Sequence, residues 1–349
     1  MNEAELNPHA LTTLDAHSVP IPWTTATPNS VSVESPTRKT RAVVTVDRLH
    51  KTYGGTNGVH EVSFSVGEGE ILGIIGPNGA GKTTTVECIS GLRAPDSGSI
   101  NVLGLDPQKH RQEVRDRVGV QLQEGSLPPR AKVREVLQLF ASFYRQPADP
   151  DELLSELGLT EKRNAYYKQL SGGQKQRLSI ALALVGNPKV AILDELTTGL
   201  DPQARRETWG LIEKIRDRGV TVILVTHFMD EAERLCDRVV LIDRGEVVAM
   251  ATPEALAEQE GGGTHMRFVP SAPFPDKILA SLPGVSSVEH VGPHVEVTGK
   301  GDLLPAVMQA LQIVGVRAQD VQVTSGSLED AFLRLTSQRT RPTTEVAGS

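Results

Sequence analysis

Gly76-Pro-Asn-Gly-Ala-Gly-Lys-Thr83 is the stretch of sequence that decides the fold. It has the spacing G-x-x-x-x-G-K-[ST], follows an apolar run at residues 70–75 and precedes a predicted helix at 84–90. The glycines let backbone N–H groups surround a phosphate, Lys82 reaches the β- and γ-phosphates, and the Thr83 hydroxyl joins the shell of Mg²⁺. The G-x-G-x-x-G spacing of dinucleotide folds is absent. The stretch therefore predicts a loop that binds the phosphates of a nucleotide.

Apolar runs separated by helical or loop stretches surround this loop. The β-branched run at residues 42–46 and the alternation of Val62, Phe64 and Val66 indicate antiparallel strands. Strands that alternate with helices predict a mostly parallel, doubly wound α/β sheet. Between residues 108 and 186 the helical signal dominates and predicts a helical insert. Further apolar runs cover residues 70–75, 178–185, 190–193, 220–225 and 239–242.

An acidic pair follows one of these runs. Val190-Ala-Ile-Leu193 is a predicted buried strand that ends in Asp194 and Glu195. Alone, such a pair is about as often a solvated loop as a site, but the phosphate loop upstream favours the site. Asp194 is then expected to hold Mg²⁺ through water, while Glu195 polarises the water that attacks the γ-phosphate.

A second unit follows Gly261-Gly-Gly263, a linker candidate. Its pattern is strand, helix, two strands, helix and strand, which predicts a small α+β ferredoxin-like domain. An amphipathic helix over residues 327–335 closes it. The predicted divisions are a disordered tail at 1–41, a main domain at 42–260 with a helical subdomain at 108–186, an accessory domain at 264–337 and a disordered tail at 338–349.

Composition excludes several classes of protein. The 349 residues carry 36 basic and 43 acidic side chains, a formal charge of -7, so no general attraction to nucleic acid is expected. Two cysteines, Cys88 and Cys236, make neither a disulfide framework nor a zinc site, and we expect both to be buried, inert thiols. No apolar run approaches 18 residues, so no membrane span is predicted.

Between the phosphate loop and the acidic pair stands Leu170-Ser-Gly-Gly-Gln174. With it the sequence resembles the ATP-binding cassette (ABC) family. The resemblance implies the P-loop NTPase fold of ABC ATPases, with antiparallel strands, a parallel core sheet and a helical subdomain. It also implies that the signature Ser171, Gly172, Gly173 and Gln174 begins a helix whose N-terminus closes over ATP bound to a second subunit.

Other family elements follow in family order between about residues 43 and 255. Tyr53 resembles the aromatic residue that stacks on adenine, and Gln123 resembles the Q-loop glutamine, with Gln121 as an alternative register. Asp201, in Gly199-Leu-Asp201, resembles the D-loop aspartate that crosses the dimer interface. His227 matches the switch histidine that contacts the γ-phosphate. Leu196 stands where the family usually has proline, which removes a conformational lock and no catalytic group.

The motif and the resemblance together give one set of site residues. The predicted catalytic residues are Glu195, His227 and Gln123, and the predicted Mg²⁺ ligands are Thr83, Gln123 and Asp194. The predicted ATP-binding residues are Tyr53, Gly76, Pro77, Asn78, Gly79, Ala80, Gly81, Lys82, Thr83 and Thr84.

The resemblance implies an ATPase subunit that uses ATP and Mg²⁺, forms a homodimer and energises a separate polytopic permease from the cytoplasmic face of the membrane. Residues 327–335 are similar to the ending of daunorubicin-resistance-type drug exporter subunits, which implies export of a drug, antibiotic or other amphipathic small molecule. Alternatively, that helix only covers the accessory sheet through Phe332 and Leu335. Two further hypotheses are a soluble ABC ATPase acting on the ribosome or DNA and a non-hydrolysing regulatory subunit, which intact Glu195 and His227 disfavour.

Overall fold

The computed structural model describes residues 41–338 except residue 55, residues 122–126 and residues 261–262. Gln123 and the two predicted tails, apart from Arg41 and Gln338, lie outside the described residues. Within the described part, no helix is long and apolar enough to cross a membrane.

Strands and helices alternate along most of the described chain. The strands are β1 (Ala42–Tyr53), β2 (Thr56–Gly67), β3 (Ile71–Ile75), β4 (Ser97–Val102), β5 (Val118–Gln121), β6 (Val190–Asp194), β7 (Thr221–Thr226), β8 (Arg238–Asp243), β9 (Glu246–Ala251), β10 (Thr264–Pro270), β11 (Val285–Val291), β12 (His294–Gly299) and β13 (Ala318–Ser325). The helices are α1 (Lys82–Ile89), α2 (Arg111–Arg115), α3 (Val133–Ala141), α4 (Pro150–Glu156), α5 (Gly172–Leu184), α6 (Pro202–Asp217), α7 (Met229–Leu235), α8 (Pro253–Glu260), α9 (Lys277–Ala280), α10 (Leu303–Ile313) and α11 (Leu328–Gln338).

A six-stranded sheet in the order β5-β6-β7-β3-β8-β9 carries the phosphate loop. Its first five strands are parallel, and β9 pairs antiparallel with β8. Strands β3, β6, β7 and β8 are buried along their whole length, which explains their unbroken apolar runs. Register pairs Ile75 with Thr226 and Asp194 with Val225, so the ends of β3, β6 and β7 meet at one edge. The predicted fold class is confirmed.

A three-stranded antiparallel sheet in the order β2-β1-β4 packs on the core. Val44 pairs with Val66 and Val46 with Phe64, as the alternating apolar residues predict.

Residues 108–186, the region of strong helical signal, contain a long buried helix and also one strand of the core sheet. The apolar run at 178–185 falls in α5, where Leu178, Ala181 and Leu184 are buried at helical spacing. The helix begins with a capping box in which the Ser171 and Gln174 side chains exchange hydrogen bonds with each other's backbone N–H groups. Residues 118–121 form β5, which pairs with β6 in the core sheet.

The C-terminal unit folds as a four-stranded antiparallel sheet in the order β11-β12-β10-β13, with α9 and α10 on one face. This is the order of a ferredoxin-like unit, with the second strand of the unit at one edge and the fourth at the other. Phe268, Val295 and Val297 of the sheet and Val307 of α10 are among the buried residues of its core.

The last helix, α11, packs on the nucleotide-binding unit. Leu328, Ala331 and Leu335 are buried in the same apolar cluster as Leu235 of α7 and Leu256 of α8. The backbone N–H of Leu328 donates to Glu233 Oε1 at 2.8 Å. The alternative in which this helix only covers the accessory sheet through Phe332 and Leu335 is therefore wrong, because both side chains pack in this cluster.

Candidate functional site

The phosphate loop connects β3 to α1 and is held open by glycines. The Lys82 ammonium donates to the carbonyl oxygens of Gly76 and Pro77 at 2.8 and 3.0 Å. A Cβ at Gly76 would lie 2.0 Å from the Ile242 carbonyl oxygen, and Gly81 has φ +103° just before the helix. No other residue fits Gly76 without moving the backbone. The sequence-predicted loop thus adopts a conformation that glycine makes accessible.

Asp194 lies at the end of β6, opposite the start of α1. Its Oδ2 is 3.5 Å from the Thr83 hydroxyl, while its Oδ1 is buried without a hydrogen-bond partner among the described residues. Burial, assisted by the nearby Glu195 charge, raises the pKa of Asp194 to about 6. Burial also lowers the pKa of Lys82, against the raising effect of the Glu195 and Asp194 charges. The site thus brings buried side chains of opposite charge together, and Asp194 Oδ1 can accept a further ligand.

Glu195 and His227 face each other across the ends of β6 and β7. Glu195 Oε1 lies 3.4 Å from His227 Nδ1, and the carboxylate side chain is 11% exposed against 37% for the imidazole. Glu195 has φ +49°, and its backbone N–H donates to the Val225 carbonyl at 2.9 Å. A non-glycine residue seldom adopts this backbone conformation, and such strained positions cluster at functional sites. The Glu195 side chain lines the same cavity as the phosphate loop.

A cavity of about 410 Å³ opens over this cluster. The Tyr53 hydroxyl lies 3.2 Å from Thr84 Oγ1, and the Arg93 guanidinium lies 5.0 Å from the centre of the Tyr53 ring. An aromatic side chain that is 40% exposed thus borders the phosphate loop. The residues that line the cavity are Tyr53, Gly58, Asn78, Gly79, Gly81, Lys82, Thr83, Thr84 and Glu195.

The signature and D-loop residues do not line this cavity in the described part of the chain. Ser171 is the N-cap of α5, with its hydroxyl 3.3 Å from the Gln174 N–H. Asp201 is the N-cap of α6 and accepts from the Gln203 and Ala204 N–H groups. A Cβ at Gly173 would lie 3.3 Å from Ala204, so the two helix N-termini are neighbours.

The glutamine in the alternative register has a structural contact. Gln121 Oε1 accepts from the Asp194 backbone N–H at 3.1 Å, which ties β5 to the acidic strand end. Gln123 lies outside the described residues. Leu196 is fully buried in the apolar core, as its side chain dictates.

Three residues near the site have no signature in the sequence pattern. Gly58 lines the cavity, and its carbonyl oxygen would be 2.4 Å from a Cβ at Gly81. Arg93 stacks on Tyr53, and Glu231 is a buried carboxyl beneath the turn that holds Glu195. The only available signal for Glu231 was its place in the first turn of a helix that begins two residues after His227.

Comparison with known proteins agrees with this geometry. Residues 59–198 match the family model described as ABC transporter. A Nod factor export ATP-binding protein I from Burkholderia orbicola (strain AU 1054) is 38% identical over 83% of this chain and 95% of its own length. A daunorubicin resistance ATP-binding protein from Streptomyces coeruleorubidus is 35% identical over 85% of this chain and 97% of its own length.

Solved structures match the nucleotide-binding unit. A cbiO1 protein from Clostridium perfringens, described as part of the ABC transporter complex cbiONQ, is 31% identical with a TM-score of 0.57, covering 63% of this chain and 92% of that one. A dimeric ATP-binding cassette in a post-hydrolysis state, bound to ADP and phosphate, is 29% identical with a TM-score of 0.54, covering 60% and 98%. The chain therefore belongs to the ABC transporter family, as an ATP-binding and ATP-hydrolysing subunit.

Proposed function

We propose that this chain hydrolyses ATP at two composite sites of a homodimer and thereby drives a separate membrane permease that exports an amphipathic small molecule. The observation that carries the proposal is the meeting of Lys82, Asp194, Glu195 and His227 at one edge of the parallel sheet. A cluster of this kind is suited to phosphoryl transfer, in which positioning and charge stabilisation do most of the catalysis.

Each group of the cluster has a role that its surroundings support. The phosphate-loop N–H groups and Lys82 hold the β- and γ-phosphates, and Tyr53 stacks on the adenine ring. Glu195 orients the attacking water, whose oxygen bonds to the γ-phosphorus as the bond to the ADP oxygen breaks. His227 donates to the γ-phosphate and lies close enough to Glu195 to hold its carboxylate in place.

The donor set around Asp194 fits Mg²⁺. Asp194 Oδ1 is buried with no hydrogen-bond partner in the described part of the chain, and Thr83 supplies a hydroxyl beside Oδ2. Among the described residues no group of three or more His, Cys, Asp or Glu side chains is placed to hold a metal ion by itself, so phosphate oxygens and water would complete the Mg²⁺ shell. Bound there, Mg²⁺ neutralises charge on the phosphate oxygens. Gln123 is a proposed further ligand.

The position of the signature supports the homodimer. Ser171 and its two glycines begin a 13-residue helix whose N-terminus is exposed and lies outside the cavity of its own subunit. A helix N-terminus attracts anions. We infer that Ser171, Gly172, Gly173 and Gln174 cover the γ-phosphate bound to the other subunit, with Asp201 beside them at the interface.

A groove along strand β5 is suited to a permease. It has a volume of about 480 Å³ and is lined by Leu92, Val118, Val120 and Phe143 among other residues. Phe143 is 64% exposed and Leu92 52%. Strand β5 runs from this groove to Gln121, which bonds the Asp194 backbone, so a helix docked there would be coupled to the site. The chain would then lie on the cytoplasmic face of the membrane.

The cargo proposal rests on the similarity to subunits named for daunorubicin resistance and Nod factor export. These relatives match this chain over almost their whole length, including the C-terminal unit. A drug, antibiotic or other amphipathic small molecule is therefore the class of substrate that we propose for the permease complex.

Recovery of the membrane partner tests the proposal. A tagged Glu195→Gln chain is purified from detergent-solubilised native membranes with ATP, and the same is done with Phe143→Asp added. We expect a polytopic permease in stoichiometric amount with the first chain and its loss with the second. Val291→Asp, which adds the same charge to an exposed strand of the accessory sheet, is the matched control and should retain the permease. Recovery with ribosomal or DNA-bound proteins instead would overturn the transporter function.

A further inference from the structure

Glu231 is a fully buried carboxyl group that none of the roles above uses. It lies in the first turn of α7, four residues after His227. The indole N–H of Trp209, on α6, donates to its Oε1 at 3.0 Å. A carboxyl is rarely buried unless its hydrogen bonds compensate the loss of water.

Both segments that carry the reacting groups border this carboxyl. Burial raises the pKa of Glu231, while the hydroxyls of Thr226 and Thr197, the Trp209 indole and the Arg205 charge favour the ionised form. Thr197 stands two residues after Glu195, and Thr226 directly precedes His227. One side chain therefore adjoins the turn of the proposed catalytic glutamate and the strand end of the proposed switch histidine.

The other charged groups around Glu231 are themselves engaged. Arg205 of α6 forms an ion pair with Asp230 at 3.3 Å and lies 4.3 Å from the centre of the Phe228 ring. Thr226 Oγ1 accepts from the Phe228 N–H at 3.0 Å. The segment around His227 is thus connected to α6, the helix that Asp201 caps.

Two buried polar atoms between these segments lack a hydrogen bond. Glu231 Oε2 and Thr197 Oγ1 are both buried and have no hydrogen-bond partner among the described residues. Buried polar groups in folded proteins are nearly always paired, so an unpaired donor and acceptor close together need an explanation. Because the Thr197 hydroxyl adjoins the Glu231 carboxyl, these two atoms are candidates to pair with each other.

We propose that Glu231 is a positioning residue for ATP hydrolysis, which receives a hydrogen bond from the Thr197 hydroxyl when the site closes on nucleotide and thereby fixes Glu195 relative to His227. The inference rests on the proposed roles of Glu195 and His227. Glu231 does not line the nucleotide cavity, so its loss should lower turnover and leave the affinity for ATP unchanged.

A double-mutant cycle tests the pairing in the full-length protein. Thr197→Val removes the hydroxyl at nearly constant volume, and Glu231→Met removes the carboxyl while filling its space. We expect each to lower kcat by about 10- to 100-fold, since a misplacement of about 1 Å costs on that order. The double variant should be no slower than the slower single variant, because the two groups act as one pair. Glu231→Gln should recover most of the rate.

Control variants separate positioning from packing. Glu233→Met makes the same chemical change two residues along α7, where the carboxylate contacts α11 instead, and should leave kcat unchanged. If Thr197→Val keeps full turnover, or if the two losses simply multiply, Glu231 only packs α7 on α6 and the inference is overturned. Should Glu231→Met fail to fold, Thr197→Val alone still decides. Glu195→Gln measured in parallel tests the underlying function, since its full activity would remove that function rather than this inference alone.

Discussion

The nucleotide-binding unit and the C-terminal unit differ in whether their charged side chains are buried or exposed. In the former, Lys82 and Asp194 are both buried, with the pKa of Lys82 lowered and that of Asp194 raised to about 6. In the latter, Asp276 and His290 pair at 2.8 Å with both side chains about half exposed. Both units bury apolar side chains of their strands, but among the described residues only the nucleotide-binding unit also buries charged side chains, which costs solvation energy.

The difference indicates where the chemistry of this chain is concentrated. The core of the C-terminal unit consists of apolar side chains from its sheet and from α9 and α10. The core sheet of the nucleotide-binding unit ends at Glu195, which has a positive φ, and at Asp194, whose Oδ1 has no hydrogen-bond partner among the described residues. Buried polar groups of this kind oppose stability and are typical of functional sites. Substitutions at these buried polar groups should therefore change rates, whereas substitutions of exposed charged residues in the C-terminal unit should not.

The largest expected effect is on turnover by Glu195→Gln. Removing the proposed base should lower kcat by about 100-fold or more while ATP still binds, because the amide keeps the shape and loses the charge. Phosphate release and nucleotide affinity measure the two effects. Glu289→Gln, an exposed position on β11 of the C-terminal unit, is the control and should leave both unchanged. Full turnover by Glu195→Gln would remove the assignment of Glu195.

The next effect concerns stability and tests whether α11 packs on the nucleotide-binding unit. Leu328 is 1% exposed in the core of the nucleotide-binding unit, so Leu328→Ala should lower the free energy of unfolding by about 2 to 5 kcal/mol. Leu333 on the same helix is exposed, and Leu333→Ala should change it by less than about 0.5 kcal/mol. Urea unfolding followed by the release of bound nucleotide reports on the nucleotide-binding unit. Equal behaviour of the two variants would mean that α11 does not pack as described.

A smaller effect separates backbone strain from steric clash in the phosphate loop. Gly81 and Gly79 both have positive φ, at +103° and +78°. A Cβ at Gly81 would lie 2.4 Å from the Gly58 carbonyl oxygen, whereas one at Gly79 meets nothing within 4 Å. Gly79→Ala should therefore cost about 1 to 2 kcal/mol, and Gly81→Ala should cost about 1 to 3 kcal/mol more. Urea unfolding of both variants measures the difference, and equal costs would argue against the close approach of β2.

Local motifs were readable from the sequence because their chemistry depends on neighbouring residues. The spacing of Gly76, Lys82 and Thr83 predicts the phosphate loop, and Ser171 with Gln174 three residues later is a capping-box pattern. The alternation of strands and helices predicts the doubly wound sheet, and the order of elements in the C-terminal unit predicts its ferredoxin-like sheet. In each case the information lies within a few residues or in the order of the elements.

Contacts between distant segments were not readable. Trp209 and Glu231 are 22 residues apart with no pattern that relates them, and Leu328 reaches Glu233 across 95 residues. Residues 118–121 look like part of a helical region, yet pairing with β6 makes them a strand. The energy of such contacts comes from tertiary packing, which overrides local propensity.

The smallest expected effect is the lack of reaction at the two cysteines. Both thiols are buried; burial raises the pKa of Cys88 to about 11 and that of Cys236 further still. Because burial disfavours the thiolate that reacts, alkylation of the native protein at pH 8 should be far slower than alkylation of the protein in urea. Mass spectrometry after iodoacetamide treatment measures the extent. Fast labelling of either thiol in the native protein would mean that the nucleotide-binding core opens around that thiol.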